Sequence, residues 1–161
     1  MRTGIQKAAI AAWLGMSAAL ASVAPTAAAT NYITIPGSAF VRSTTAMAVS
    51  AAGPGCITSE PSGLFHAAVN LPDGSTVVSI AFAYSNATPL ASATLAFLYS
   101  FHDLTPVTNA SVASLTASGA NASSAAANVA IDNGANTYML GWVPGASGGL
   151  QSLCHVRLGY Q

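Results

Sequence analysis

Side chains in this chain alternate with a period of two, in one short stretch after another. Val78, Ile80, Phe82 and Tyr84 fall on one side of an extended segment, and Val77, Ser79, Ala81 and Ala83 on the other. Leu95, Phe97, Tyr99 and Phe101 repeat the pattern. So do Tyr138, Leu140 and Trp142, and then Cys154, Val156, Leu158 and Tyr160. Successive side chains of a strand point to opposite faces, so this spacing predicts half-buried strands. Weaker strands are expected at Tyr32–Ile35, Phe40–Ser50, Leu64–Val69, Ser111–Ala117 and Ala125–Ile131. Pro72-Asp73-Gly74, Ser85-Asn86, Asn133-Gly134 and Pro144-Gly145 are expected to turn the chain between them. Eight or nine strands at this spacing predict a single all-β domain, an antiparallel β-sandwich or jelly roll. The Ala-rich stretch Ala110–Ala130 fits that pattern rather than a helix, because Ser, Thr, Asn and Gly interrupt it throughout.

The start of the chain reads differently. Arg2 and Lys7 precede an apolar run, Ala8 to Val23, and Pro25 and Ala27-Ala28-Ala29 follow it. This is the layout of a secretory signal peptide, with cleavage expected after Ala29 and Ala21 as the alternative position. Residues 1–29 are therefore expected to be removed, leaving 30–161 as the folded domain. The apolar run is shorter than the ~20 residues of a membrane-spanning helix, and no later segment is apolar enough to span. The mature chain is expected in the periplasm or outside the cell.

Removing that segment also removes Arg2 and Lys7. The remaining cations are Arg42 and Arg157, set against Glu60, Asp73, Asp103 and Asp132. So few charges, in a chain of which only 5% is charged, exclude the basic footprint that nucleic acids require. A mature chain without Lys also excludes Schiff-base catalysis, P-loop phosphate binding and Lys–Asn cross-links. The two cysteines, Cys56 and Cys154, stand 98 positions apart. In an exported protein such a pair predicts one disulfide, and closing so long a loop is worth roughly 4–5 kcal/mol in the chain-entropy model. Alternation places Cys154 on the core face with Val156, Leu158 and Tyr160, and turns His155 and Arg157 outward.

Four short strings then carry a resemblance. They are Ile35-Pro36-Gly37-Ser38-Ala39-Phe40, Gly55-Cys56, Asn70-Leu71-Pro72-Asp73-Gly74-Ser75 and Cys154-His155-Val156-Arg157-Leu158-Gly159-Tyr160. Together they resemble a group of uncharacterised secreted bacterial proteins with an opening IPGSAF, an NLPDG hairpin entry and a closing C-x-V-R-x-x-Y strand. The resemblance spans most of the mature chain. It implies one exported all-β domain, and carries no activity or functional residue with it.

Sites of chemistry are sparse. Gly145-Ala146-Ser147-Gly148-Gly149 matches G-x-S-x-G, but it precedes a strand rather than a helix, so it reads as a hairpin loop and not a nucleophile elbow. His102 and Asp103 are adjacent, and neighbours on a strand face opposite ways, so neither is expected to orient the other. His66 falls in a predicted strand. Three scattered histidines and two cysteines do not make a zinc site, and no cofactor is implied. Asp132-Asn133-Gly134-Ala135-Asn136 has oxygen ligands for a weak Ca²⁺ site, with an Asn-Gly hairpin turn as the better reading.

Ligand contact is assigned to four residues: Trp142, Tyr84, His155 and Arg157. For the aromatics among them, and for Tyr99 and Tyr138, alternation with Leu and Phe favours core packing over a sugar-stacking platform. The reading that follows is a secreted, non-enzymatic β-sandwich, a structural or binding module of the envelope or extracellular space. A carbohydrate-binding module and a small hydrolase are the alternatives. With few charges to blunt sheet edges, Thr44–Ala48 and Ser123–Asn128 are expected to favour self-association or packing against an extracellular polymer or glycan.

Overall fold

The computed structural model describes residues 30–43, 49–59, 63–87, 93–103, 105–114, 118–145 and 150–161. The expected signal segment, Thr44–Ala48, Glu60 and Ser147 lie outside them. Among the described residues there are eleven strands and one 3-10 turn, Gly37–Ala39. The strands are β1 (Asn31–Pro36), β2 (Val41–Arg42), β3 (Val49–Ala51), β4 (Ile57–Ser59), β5 (Phe65–Ala68) and β6 (Thr76–Asn86), then β7 (Leu95–His102), β8 (Thr105–Ala113), β9 (Gly119–Ala130), β10 (Thr137–Val143) and β11 (Gln151–Tyr160). The first sheet runs β3-β4-β11-β6-β9, with β1 also paired to β11; the second runs β2-β5-β10-β7-β8. Every pairing is antiparallel. The two sheets pack as the expected β-sandwich. No helix among the described residues is long and apolar enough to cross a membrane.

The core lies between the sheets. Val77, Ile80 and Phe82 of β6 and Leu153, Val156 and Leu158 of β11 meet Phe65, Leu98, Leu140 and Trp142 from the other sheet. Pairing between β10 and β7 sets the two aromatic residues of β10 opposite small ones and its leucine opposite a leucine. Trp142 lies opposite Ala96, Leu140 opposite Leu98, and Tyr138 opposite Ser100. Directly opposed residues of an antiparallel pair share a face, so β10 turns Ala96, Leu98 and Ser100 of β7 inward. That overturns the expectation that Tyr99 packs in the core with its neighbours. Phe97, Tyr99 and Phe101 form a row on the outer side of the second sheet, with ring centroids 5.5 and 5.2 Å apart. Tyr99 is still well covered within that row, and its burial pushes the hydroxyl above the ordinary tyrosine range. The Phe97 ring lies over Gly141, where a Cβ would overlap it.

Irregular pairing changes parity elsewhere. The registers of β6 with β11 and with β9 both shift between residues 77 and 79. Val77, rather than Val78, is therefore the fully buried residue beside Ile80, Phe82 and Tyr84. The Ser85-Asn86 turn is also corrected. These residues pair with Ser152 and Gln151 on one side and Ala120 and Gly119 on the other, so the strand continues through them. The segment expected as one strand, Phe40–Ser50, divides into β2 in the second sheet and β3 in the first.

Asp132-Asn133-Gly134 makes a turn, but not a hairpin, because it carries the chain from β9 in the first sheet to β10 in the second. The Asp132 carboxylate accepts the amides of Gly134 at 3.0 Å and Ala135 at 3.1 Å. Asp73, in the parallel crossing from β5 to β6, accepts the Asn133 amide at 2.7 Å. These carboxylates are held by the two connections they stabilise.

Candidate binding face

The strand that builds the candidate site is β11. Its register with β6 shifts between Leu153 and His155, leaving Cys154 as the extra residue of a β-bulge. Leu153 and Val156 both point into the core, three positions apart, because the bulge absorbs one residue between them. Cys154 therefore does not share the core face as alternation implied. It sits half-buried at the bulge and is bonded to Cys56, as its pairing in sequence predicted. The bulge also marks a change of neighbour. Before it, Gln151–Leu153 pair with β4; after it, His155–Tyr160 pair with β1.

Beyond the bulge, alternation resumes as expected. His155, Arg157 and Gly159 point away from the core, and the registers assemble three rows around them. Tyr32, Gly159, Ser79 and Ala126 form one row. Thr34, Arg157, Ala81 and Ser124 form the next, and Pro36, His155, Ala83 and Ala122 the third. At the usual strand spacing, four strands make a face roughly 15 Å across. On β6 and β9 every side chain in these rows is Ala or Ser, so that half of the face is flat. On β1 and β11 stand the larger groups.

Tyr32 is 59% exposed. The Arg157 guanidinium lies 4.8 Å from the centre of its ring, a cation–π contact that holds two exposed side chains in one arrangement. Gly159 makes room for this, since a Cβ there would crowd Ser79, Thr30 and the Tyr32 ring. His155 is half-buried one row away. The face thus offers an aromatic plane, a fork of guanidinium donors, an imidazole and the hydroxyls of Thr34, Ser79 and Ser124.

Of the four residues assigned to ligand contact, the fold brings only Arg157 and His155 to this face. Trp142 is completely buried, its ring 4.9 Å from that of Phe65. Its indole N–H donates to the Thr94 hydroxyl at 2.9 Å, which donates in turn to the Val143 carbonyl at 2.8 Å. Tyr84 is 2% exposed and stacks on Phe82 at 4.6 Å. Core packing, the favoured reading for these aromatics, is what the fold shows, and neither can meet a ligand. Tyr32 is the residue that the pattern did not single out. The signal was present: Ile33 and Ile35 are the aliphatic members of β1, so Tyr32 and Thr34 had to face out.

Other chemistry stays apart. His102 and Asp103 do meet, at 3.3 Å, contrary to expectation. Asp103 adopts φ +56° in the turn between β7 and β8, which breaks the strand alternation. Both side chains stand in solvent, 66% and 88% exposed. A cleft of about 280 Å³ opens where the two crossing connections meet, lined by Asn70, Leu71, Asn133, Asn136, Thr137 and Tyr138 among others. Its Asn133 amide group already donates to the Leu71 carbonyl at 2.8 Å.

Neither a known protein-family description nor a curated protein matches the chain in sequence. Solved structures do match the fold. The CBM36-1 domain of a multidomain xylanase from the hindgut metagenome of Trinervitermes trinervoides aligns with a TM-score of 0.56 at 9% identity, over 80% of this chain and 97% of that one. The C-terminal CBM6 of LamC, a marine laminarinase from Zobellia galactanivorans, aligns with a TM-score of 0.51 at 16% identity, over 80% and 98%. The xylan-binding module CBM86 from Roseburia intestinalis aligns with a TM-score of 0.51 at 11% identity, over 81% and 96%. At these identities the likeness is one of fold.

Proposed function

We propose that this domain is a non-catalytic carbohydrate-binding module, and that it holds a polysaccharide against the outer face of the first sheet. Tyr32 under the Arg157 guanidinium carries the reading. An exposed aromatic ring fixed in place gives the apolar side of a sugar something to stack on. The guanidinium and the nearby hydroxyls supply donors for the sugar oxygens. The Ala and Ser floor on β6 and β9 lets an extended chain lie flat beside them. The similar folds support this reading over a structural module without a ligand, because those modules belong to a xylanase and a laminarinase or bind xylan. Cleavage of residues 1–29 as a signal peptide belongs to the same proposal, since it delivers the domain to where polysaccharides lie.

The test is affinity electrophoresis of the exported protein through gels containing soluble polysaccharides of several classes. Retardation by at least one is expected. Tyr32→Ala should weaken it about tenfold, equivalent to ~1.4 kcal/mol and within the range of an aromatic contact. Asn136→Ala, in the cleft between the crossing connections, should leave it unchanged. Loss of binding with Asn136→Ala and not with Tyr32→Ala would move the site to the cleft.

A further inference from the structure

We infer that the glycan this face prefers is acidic, its recognition element a carboxylate such as that of a uronic acid. The inference rests on the carbohydrate-binding reading above and concerns the same face. Its ground is an imbalance of charge. The strands β1, β11, β6 and β9, which build the face, contain no Asp or Glu. Their one permanently charged side chain is Arg157.

The aspartates elsewhere, all among the described residues, are committed. Asp132 accepts the amides of its own turn. Asp73 accepts the Asn133 amide. Asp103 lies against His102, its carboxylate 3.3 Å from the imidazole Nδ1. Arg157 has no carboxylate partner among the described residues, only the Tyr32 ring. A guanidinium presents five N–H donors in a planar fork that matches a carboxylate with two parallel hydrogen bonds. Packing against Tyr32 fixes that plane before a ligand arrives, so less rotamer freedom is lost on binding. Neutral hydroxyls can accept from the same donors, but without the charge assistance that makes such bonds stronger. A ligand carboxylate would supply that charge.

The experiment titrates the exported protein with polygalacturonate, with its methyl ester, with neutral xylan and with dextran sulfate, following binding by calorimetry. Polygalacturonate is expected to bind roughly tenfold or more tightly than its ester, which keeps the sugar rings and removes the charge. Raising the salt to about 1 M should shrink the difference. Arg157→Gln should weaken every glycan but polygalacturonate most, so that acid and ester bind alike, whereas Tyr32→Ala should weaken all of them and keep the preference. A melting curve for each variant shows that it is folded.

Equal affinity for acid and ester would overturn the inference and leave the carbohydrate-binding reading standing. Binding of dextran sulfate as tight as that of polygalacturonate would overturn the assignment of a carboxylate. Failure to bind any glycan would remove both readings.

Discussion

Phe97 and Gly141 show how one residue's size is set by another far away in the chain. They are directly opposed across β7 and β10, and the ring occupies the space a Cβ would need. Aromatic rings are known to cover glycines in sheets in this way, restoring the packing the glycine lacks. Gly141→Ala would force the ring off its rotamer or move the strands apart, at a cost of about 1–3 kcal/mol. Thermal unfolding should register the loss. Combining it with Phe97→Ala should recover part of it, since the clash is then gone. If the single change were neutral, the ring would not be held where it lies. The same logic at Gly159 explains why β11 has no side chain between Arg157 and Tyr160 on the outer face.

Among the elements, β11 has the most neighbours. It pairs with β6 along its length on one side, and on the other passes from β4 to β1 at the Cys154 bulge. β4 meets β11 over only three residues, and β3 pairs with β4 alone. The disulfide joins this short flank to the sheet at the point where the neighbour changes. Reduction should therefore cost about 2–4 kcal/mol, and its effect should be local at first. Hydrogen exchange of the reduced protein is expected to show β3 and β4 losing protection before β6 or β10. Uniform loss across both sheets would mean that the bond acts only on the unfolded chain.

For the molecule as a whole, the exposed edges matter most. β9 ends the first sheet and β8 ends the second, and they lie side by side at one flank. β9 spans twelve residues without a charge or a Pro and includes the Ser123–Asn128 segment. Native edges are usually blunted by charge, above all Lys, and the expected mature chain has none. A second copy adding its own β9 antiparallel would extend the sheet through backbone bonds alone. Sedimentation is expected to show association that grows with concentration and barely responds to salt, because there is little charge to screen. Asn128→Lys should return the protein to a monomer. A monomer at every concentration before any substitution would end the idea.

Much of this architecture could be read from residues in order. Period-two spacing determined that the chain forms strands, and which side chains share a face. It turned Arg157 outward correctly, and two cysteines in a chain expected to be exported predicted their bond. It could not say which face of β7 is inside, because Ala96 and Leu98 are as apolar as Phe97 and Tyr99. That choice belongs to β10, whose Trp142 and Leu140 need a small and a matching partner. Nor could alternation survive the irregularities at Val77–Ser79 and Cys154, where one extra residue puts Val77 and Leu153, on the near side, on the same face as Ile80 and Val156 on the far side. The platform of Tyr32, Arg157 and His155 has the same origin. Each residue's orientation is a local property of its strand. Their meeting on one face depends on β1 pairing with β11, two segments at opposite ends of the domain, and a pairing at that distance is fixed only by the packing of the whole sandwich.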